Sequence, residues 1–370
     1  MELLLVAVVA VALFFDFTNG FHDTANSIAT SVSTRALSPR AAVLSAAVLN
    51  VAGAFVSFEV AATVAKGIVV PEIITLDVVL AGLVGAITWN LITWYLGLPS
   101  SSSHALIGGM AGSALAASGS DAIQWRGIVE KVAIPSLIAP LLGIAIAALL
   151  TLGVLWLVRR RAPGTVNRVF RRLQLVSGGF VAFTHGTNDA QKTMGIIALA
   201  LVASGHLEAD FDRPPLWVIV SAALAMGIGT YAGGWRIIKT LGTRIAKLDP
   251  PRGFTAQTST AGILWATAHY GFPVSTTHTV SGSVLGAGAA GRRFHAVRWG
   301  VAGNILLAWV MTLPCAAAVG ALMEILTRLP GGAALVFGLV ALIAATAFVA
   351  RNLETRRLRR LEPSAVAPPP

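Results

Sequence analysis

Long stretches without any charged residue constrain the fold of this chain more than any other feature. Val132–Val158 and Trp299–Met323 contain no Asp, Glu, Lys or Arg. Each exceeds the roughly 20 residues that a helix needs to cross a bilayer. Val78–Ser120 and Gly253–Gly291 are also uncharged, and each is long enough for two spans or for one span plus a hairpin. The predicted fold class is therefore an all-α integral membrane protein with about ten to twelve membrane segments.

Composition and charge distribution support this class. Of the 370 residues, 12% are charged and 55% are hydrophobic, whereas a soluble domain carries roughly 25% charged residues. The formal net charge of +11 is concentrated in basic segments that flank the apolar ones: Arg159–Arg161, Arg168–Arg172, Arg236–Arg252, Arg292–Arg298 and Arg351–Arg360. This pattern is typical of the positive-inside rule and not of nucleic-acid binding. We expect a multi-pass protein of the cell (inner or plasma) membrane, with its central basic loop in the cytoplasm and no nucleic-acid partner.

The chain divides into two halves. Residues 1–158 and 173–350 form two repeats, joined by a basic cytoplasmic loop at 159–172. Residues 351–370 form a tail that is first charged and then rich in Ala and Pro. Such a composition predicts disorder for the tail.

Two polar motifs occur once in each half and in the same order. Phe17–Asp23 matches Phe183–Asp189 at four identical positions, with one Asn and one His exchanged between the copies. Gly97–His104 likewise matches Gly271–His278. Internal duplication with interrupted apolar segments is typical of secondary transporters, which bind their substrates at the interface between repeats.

The first motif predicts a cation site. Charged groups at membrane depth cost about 2.5–3.5 kcal/mol or more unless they are paired or hydrated, so Asp23 and Asp189 are functional candidates. Asn26 lies on the same helical face as Asp23, and carboxylate and amide oxygens suit a hard monovalent cation. Asp16 fits a helix cap at the membrane surface equally well.

Lys192 occupies the place of Asn26 in the second copy and lies on the same helical face as Asp189. Three roles are open for this lysine. It replaces a cation beside Asp189, it attracts an anionic substrate, or it extends to the membrane interface.

The second motif predicts an anion site. Proline and glycine interrupt the helix, and the hydroxyl groups then stand where a new helix begins; these groups are Ser101, Ser102, Ser103, Ser275, Thr276 and Thr277. A helix N-terminus favours negative charge, and two such turns would hold one tetrahedral oxyanion. The alternative is that these hydroxyls only satisfy the backbone of kinked helices. His104 and His278, which end the motifs, and His185 are candidates for proton transfer or for structural roles.

At these residues the sequence resembles the PiT family of inorganic phosphate transporters. The resemblance covers nearly the whole chain and implies two inverted repeats, two re-entrant helical hairpins, and symport of phosphate with H⁺ or Na⁺ by alternating access. It suggests phosphate ligands among the six hydroxyl residues together with Asp23, Asp189 and Lys192. The implied coupling-cation ligands are Asp23, Asn26, Asn188, Asp189, Asn50 and Gln257.

The coupling ion stays open between H⁺ and Na⁺. Sodium-coupled eukaryotic members carry a glutamate after each acidic motif, where this chain has Asn50 and Gln257. Neutral amides can ligate a cation but cannot carry a proton or balance a second cation. This departure favours protons as the coupling ion.

Other functions compete with phosphate symport. A sulfate permease, or a carrier of another tetrahedral oxyanion, is the alternative within the same superfamily. An intramembrane hydrolase is disfavoured because the Ser-rich runs are duplicated, whereas a catalytic nucleophile is usually unique. A passive anion channel would not need buried acids. We therefore expect no enzyme and no cofactor. The expected partners are phosphate, alone or as a metal–phosphate complex, membrane lipids and further copies of the chain.

Overall fold

The computed structural model describes residues 2–291 and 294–360 and is helical almost throughout. The first half contains α1 (Glu2–Ser33), α2 (Pro39–Gly53), α3 (Glu59–Lys66), α4 (Leu76–Leu96), α5 (Ser102–Ser118), α6 (Trp125–Gly127) and α7 (Ile134–Val158). The second half contains α8 (Pro163–Ala203), α9 (Leu216–Ala232), α10 (Trp235–Lys239), α11 (Pro250–His269), α12 (Thr276–Ala289), α13 (Trp299–Thr327) and α14 (Gly332–Arg360).

Four of the described helical segments are long and apolar enough to cross a membrane: Glu2–Ser33, Leu76–Leu96, Trp125–Val158 and Trp299–Thr327. The pair Leu216–Ala232 and Trp235–Arg244, bent by 62°, makes a fifth if it counts as one span. The sequence-based number of ten to twelve also includes shorter helices and helices interrupted by polar residues. Helix α8 is an example of a helix interrupted by polar residues. It is 41 residues long, but it contains the second copy of the polar acidic motif.

Helices α7 and α13 lie at the periphery and α4 lies in the interior. Within the most apolar window of each span, 17% of the residues from α6 to α7 and 28% of those in α13 are buried, against 78% in α4. The outward-facing side chains of α7 are large and apolar, for example Leu141, Leu149 and Leu157. An apolar outer surface is what a protein surrounded by lipid requires, because lipid does not hydrate polar groups.

Contacts between helices are reciprocal in the two halves. Helix α1 packs on α9, as α8 packs on α2; α13 packs on α4 and α5, as α7 packs on α11 and α12. The two long motif-bearing helices, α1 and α8, also pack on each other. Each half therefore contributes helices to the other half, and α1 and α8 meet in the middle.

The second motif forms the tip of a helical hairpin in each half. Helix α4 packs on α5, and α11 packs on α12. The turns include Gly97 and Gly271, both with φ +68°, a left-handed conformation that glycine adopts without steric cost. Two isolated β-bridges, Val69–Ile123 and Ala246–Val297, join the chain before each hairpin to the chain after it. Each hairpin therefore starts and ends in the same region, as expected for a re-entrant segment.

The two polar segments predicted outside the repeats are partly helical. Helix α8 begins at Pro163, so Arg168–Arg172 lie in its first turns and the connection after α7 is short. Helix α14 extends to Arg360, into the tail predicted to be disordered from 351. The rest of that predicted tail, 361–370, lies outside the described residues.

Candidate functional site

The hairpin tips present two helix N-termini in the interior. Ser101 caps α5 by accepting a hydrogen bond from the backbone N–H of His104 at 3.1 Å. Ser275 caps α12 in the same way, with the N–H of His278 at 3.2 Å. These two hydroxyls cap the helix backbone, whereas the hydroxyls of the next two residues of each tip contact other groups of the site.

Asp23 of α1 is surrounded by neutral groups from both hairpins. Ser102 donates a hydrogen bond to its Oδ2 at 2.5 Å, and Thr277 donates to its Oδ1 at 3.3 Å. The Nδ1 atom of His22 lies 2.8 Å from Oδ1. Asp23 is 2% exposed, so these groups replace water around a buried carboxylate.

Asp189 of α8 has a charged partner. The Lys192 ammonium donates to its Oδ1, and Thr276 donates to its Oδ2 at 3.2 Å. The Nε2 atom of His185 lies 3.1 Å from the same Oδ2. The second aspartate therefore has a built-in positive charge that the first does not have.

Lys192 reaches both hairpin tips. Besides Asp189, its ammonium donates hydrogen bonds to the hydroxyl of Ser103 and, at 3.1 Å, to the backbone carbonyl of Val274. The residue is 2% exposed. Its burial rules out the extended, interface-seeking role, because the ammonium lies among protein oxygens in the interior.

Asn26, which aligns with Lys192, also contacts a hairpin tip. Its Nδ2 donates to Thr276 at 3.1 Å and to Thr277 at 2.9 Å, while its Oδ1 is buried and has no partner in the part of the chain that the structure describes. Both side-chain polar atoms of Asn188 are likewise buried, with no partner among residues 2–291 and 294–360. Unpaired buried oxygens are costly, and they are the ligands that a small hard cation accepts.

Asp23, His185 and Asp189 form a group that can hold a cation between the halves. One ligand atom from each lies within 4.8 Å of the other two, and all three residues are buried. Electrostatic repulsion between the two carboxylates would be relieved by a positive charge placed among them.

The two remaining predicted cation ligands, Asn50 and Gln257, differ in their contacts with this group. Asn50 contacts the Nδ1 atom of His185 through its Oδ1 at 3.1 Å and donates to Thr230 at 2.8 Å. Gln257 instead donates to Ser31 and accepts from Ser177. Asn50 thus orients a neighbour of Asp189, whereas none of Gln257's hydrogen bonds is to either aspartate.

His104 and His278 contact each other. Their ring centroids lie 4.8 Å apart in an edge-to-face arrangement. His104 Nε2 is 2.6 Å from the Ser136 hydroxyl, and His278 stacks on Trp309 at 3.9 Å between centroids. The pair connects the two hairpins to α7 and α13, so packing occupies much of its surface.

His22 is a site residue that the sequence analysis did not assign. It contacts Asp23 and lies 3.2 Å from Thr93 and 3.3 Å from Ser100 through Nε2. The exchange of Asn and His between the two motif copies could have identified His22 from the sequence. Each motif copy places its one histidine against its own aspartate, although the spacing is one residue in the first copy and four in the second.

Comparison with known proteins shows which family this chain is similar to. A family model described as PHO4, phosphate transporter family, matches residues 19–320. The probable low-affinity inorganic phosphate transporter of Rhizobium meliloti is 52% identical over 320 residues, covering 86% of this chain and 95% of the relative. That of Bacillus subtilis is 46% identical over 327 residues, covering 86% and 96%. That of Mycobacterium tuberculosis (strain H37Rv) is 50% identical over 333 residues, covering 89% and 79%.

A solved structure described as the sodium-dependent phosphate transporter has a TM-score of 0.77 and 26% sequence identity, covering 93% of this chain and all (100%) of that one. This likeness confirms the all-helical membrane fold and the multi-pass location. The inverted orientation of the repeats stays a prediction. The relatives are transporters, which confirms that the chain is not an enzyme. The chain belongs to the phosphate transporter family.

Proposed function

We propose that this protein is a secondary active symporter that moves inorganic phosphate across the cell membrane with H⁺ or Na⁺ by alternating access. One observation carries the proposal. The hydroxyls of both hairpin tips converge with Asp23, Asp189 and Lys192 in one buried cluster at the junction of the halves.

Phosphate suits the mixed donors and acceptors of this cluster. Its oxygens would accept hydrogen bonds from the tip hydroxyls, now bonded to the carboxylates and to Lys192, and from the ammonium. At neutral pH its P–OH group would donate to Asp23, a bond that fully ionised sulfate cannot make. The relatives named as phosphate transporters support this choice over the alternative sulfate permease.

If Na⁺ is the ion co-transported with phosphate, it would bind near Asp23. The group formed by Asp23, His185 and Asp189 has Lys192 fixed on one side only. A second positive charge would offset part of the combined negative charge of phosphate and Asp23. The sodium-dependent structural neighbour is consistent with Na⁺, and the neutral Asn50 and Gln257 favour H⁺. No cofactor is part of this proposal.

Alternating access fits the reciprocal packing. Since each hairpin packs on a peripheral helix of the other half, each hairpin could move together with that helix between an inward-open and an outward-open form. Phosphate would move as the free anion or as a metal–phosphate complex. Lipids would cover the apolar outer faces of α7 and α13, and further copies of the chain would pack there in an oligomer.

Competition between anions tests the substrate. We would purify the protein, reconstitute it in liposomes and follow uptake of labelled phosphate against excess unlabelled phosphate or excess sulfate. Competition by phosphate alone is the expected result. Absence of labelled-phosphate uptake, with labelled sulfate taken up by the same liposomes in a parallel assay, would exclude the proposed substrate while leaving the architecture intact.

A further inference from the structure

Asp16 is a buried carboxylate outside the cluster described above. It lies seven residues before Asp23, about two helical turns along α1. Its exposed fraction is 0%, and neither carboxyl oxygen has a hydrogen-bond partner among the described residues. The surface helix-cap role is therefore wrong for Asp16, because it lies inside α1 and away from any surface.

Two further unpartnered groups lie beside this carboxylate. Asp16 neighbours Asn19 on α1 and Thr193 on α8. The Oδ1 atom of Asn19 and the hydroxyl of Thr193 are also buried without a hydrogen-bond partner among the described residues. Three polar groups from the two central helices thus lie together with unused hydrogen-bonding capacity.

The charged groups that face Asp16 do not neutralise it. They are Asp189 and Lys192, both on α8. Asp189 repels a negative charge on Asp16, and the Lys192 ammonium already donates to Asp189, Ser103 and Val274. An ionised Asp16 would therefore be a buried charge without a direct partner, which proteins avoid.

One proton satisfies all three groups. A protonated carboxyl group has one O–H donor and an acceptor oxygen. The O–H would donate to Asn19 Oδ1, the unpartnered acceptor, and the Thr193 hydroxyl would donate to the carbonyl oxygen of Asp16. Both bonds would join residues that already neighbour Asp16.

We propose that Asp16 is the proton-binding residue that couples phosphate transport to the proton gradient. This inference rests on the proposed function. Of the two coupling ions left open there, H⁺ and Na⁺, it selects H⁺. The carboxylate takes up a proton from water on one side of the membrane, forming an O–H bond. That bond breaks when the proton is released to water on the other side, and no other covalent bond changes.

The two halves then divide the charge compensation. The position that matches Asp16 in the second half is Ala182, and the position that matches Asn26 is Lys192. The second half carries a permanent ammonium beside its aspartate, whereas the first half carries a carboxyl group that can be charged or neutral. This asymmetry gives the cycle one variable charge.

The variant Asp16→Asn tests the proposal, because its amide imitates the neutral carboxyl group but cannot release a proton. Two assays on reconstituted full-length protein are needed. One measures exchange of external labelled phosphate for internal unlabelled phosphate at equal pH. The other measures accumulation of labelled phosphate driven by an inward proton gradient. Asp77→Asn, at a half-buried carboxylate in the first turn of α4, is the matched control.

We expect Asp16→Asn to lose proton-driven accumulation while exchange continues, and Asp77→Asn to keep both. Asp16→Glu, which retains a carboxyl group, should accumulate phosphate with a shifted pH dependence. Undiminished proton-driven accumulation by Asp16→Asn would overturn the inference. So would loss of exchange in a variant that melts like the wild type, or loss of sodium-driven accumulation alone. Absence of any phosphate transport by the wild type would instead contradict the proposed function.

Discussion

At the scale of single residues, the two aspartates of the duplicated motif are alike in burial and unlike in charge balance. Asp23 has hydroxyls and His22 around it, whereas Asp189 has an ammonium. A buried carboxylate without a lysine or arginine partner attracts a cation strongly, and an amide in its place would not. The first motif copy therefore supplies the part of the site where the charge balance can vary.

Replacing Asp23 by Asn should weaken transport severely. The change removes a charged hydrogen-bond acceptor, worth about 1.5–3 kcal/mol, so the apparent affinity for phosphate should fall roughly 10- to 100-fold. Uptake at varied phosphate concentration measures the effect. Asp121→Asn, at an exposed carboxylate outside the site, is the control. An Asp23→Asn variant with the wild-type affinity and rate would show that Asp23 is not a ligand.

Replacing Lys192 by Asn, the residue of the first copy, should create a dependence on sodium. The ammonium now contacts a carboxylate, a hydroxyl and a carbonyl oxygen, and these are oxygen ligands that a hard cation accepts once the lysine is absent. Uptake by the variant should rise with external Na⁺, whereas Lys66→Asn, at a lysine outside the site, should behave as the wild type does. If Lys192→Asn transported at the wild-type rate without sodium, the lysine would not replace a cation.

At the scale of elements, close contact between α8 and α2 fixes the position of the second acidic motif in the interior. A Cβ atom on Gly186 would overlap the backbone carbonyl oxygen of Asn50, just as a Cβ on Gly20 would overlap that of Met226. Because glycine has no side chain, the helix backbones can approach each other closely at these two positions, as is common in membrane helix packing. They also place His185 and Asp189 against the first half.

Gly186→Ala should therefore destabilise the protein. Overpacking of this kind costs about 1–3 kcal/mol, because backbone and not a flexible side chain must move. The melting temperature in detergent should fall, and transport should fall with it. Gly262→Ala, at a helical glycine of α11 with open space around its Cβ position, should melt at the wild-type temperature or above. Equal melting of Gly186→Ala and the wild type would contradict the packing described.

The sequence predicts the elements of the site better than their contacts. The uncharged segments, the repeated motifs and the capped turns at Ser101 and Ser275 follow from local chemistry, which a sequence displays directly. The bonds from Lys192 to Ser103 and Val274 join residues 89 and 82 positions apart and depend on how the hairpins pack. For the same reason Gln257 resembles a cation ligand in the sequence but bonds to Ser31 and Ser177 in the structure.

At the scale of the whole molecule, the reciprocal packing places one buried cluster between two similar halves. The halves differ in charge at Asp16 and Lys192, so the pseudo-symmetry is structural and not electrostatic. The symporter that we propose needs a cation gradient to move phosphate uphill. A passive anion channel with the same helices would only let phosphate equilibrate.

Uphill accumulation of labelled phosphate is the measurement that tests symport most directly. Liposomes containing the purified protein would receive a proton gradient, a sodium gradient or neither, with equal phosphate on both sides at the start. The account predicts that the internal phosphate concentration rises above the external one under a proton gradient and stays equal to it without a gradient. Equal concentrations under every gradient, reached by a protein that does carry phosphate, would contradict symport and identify a passive pathway.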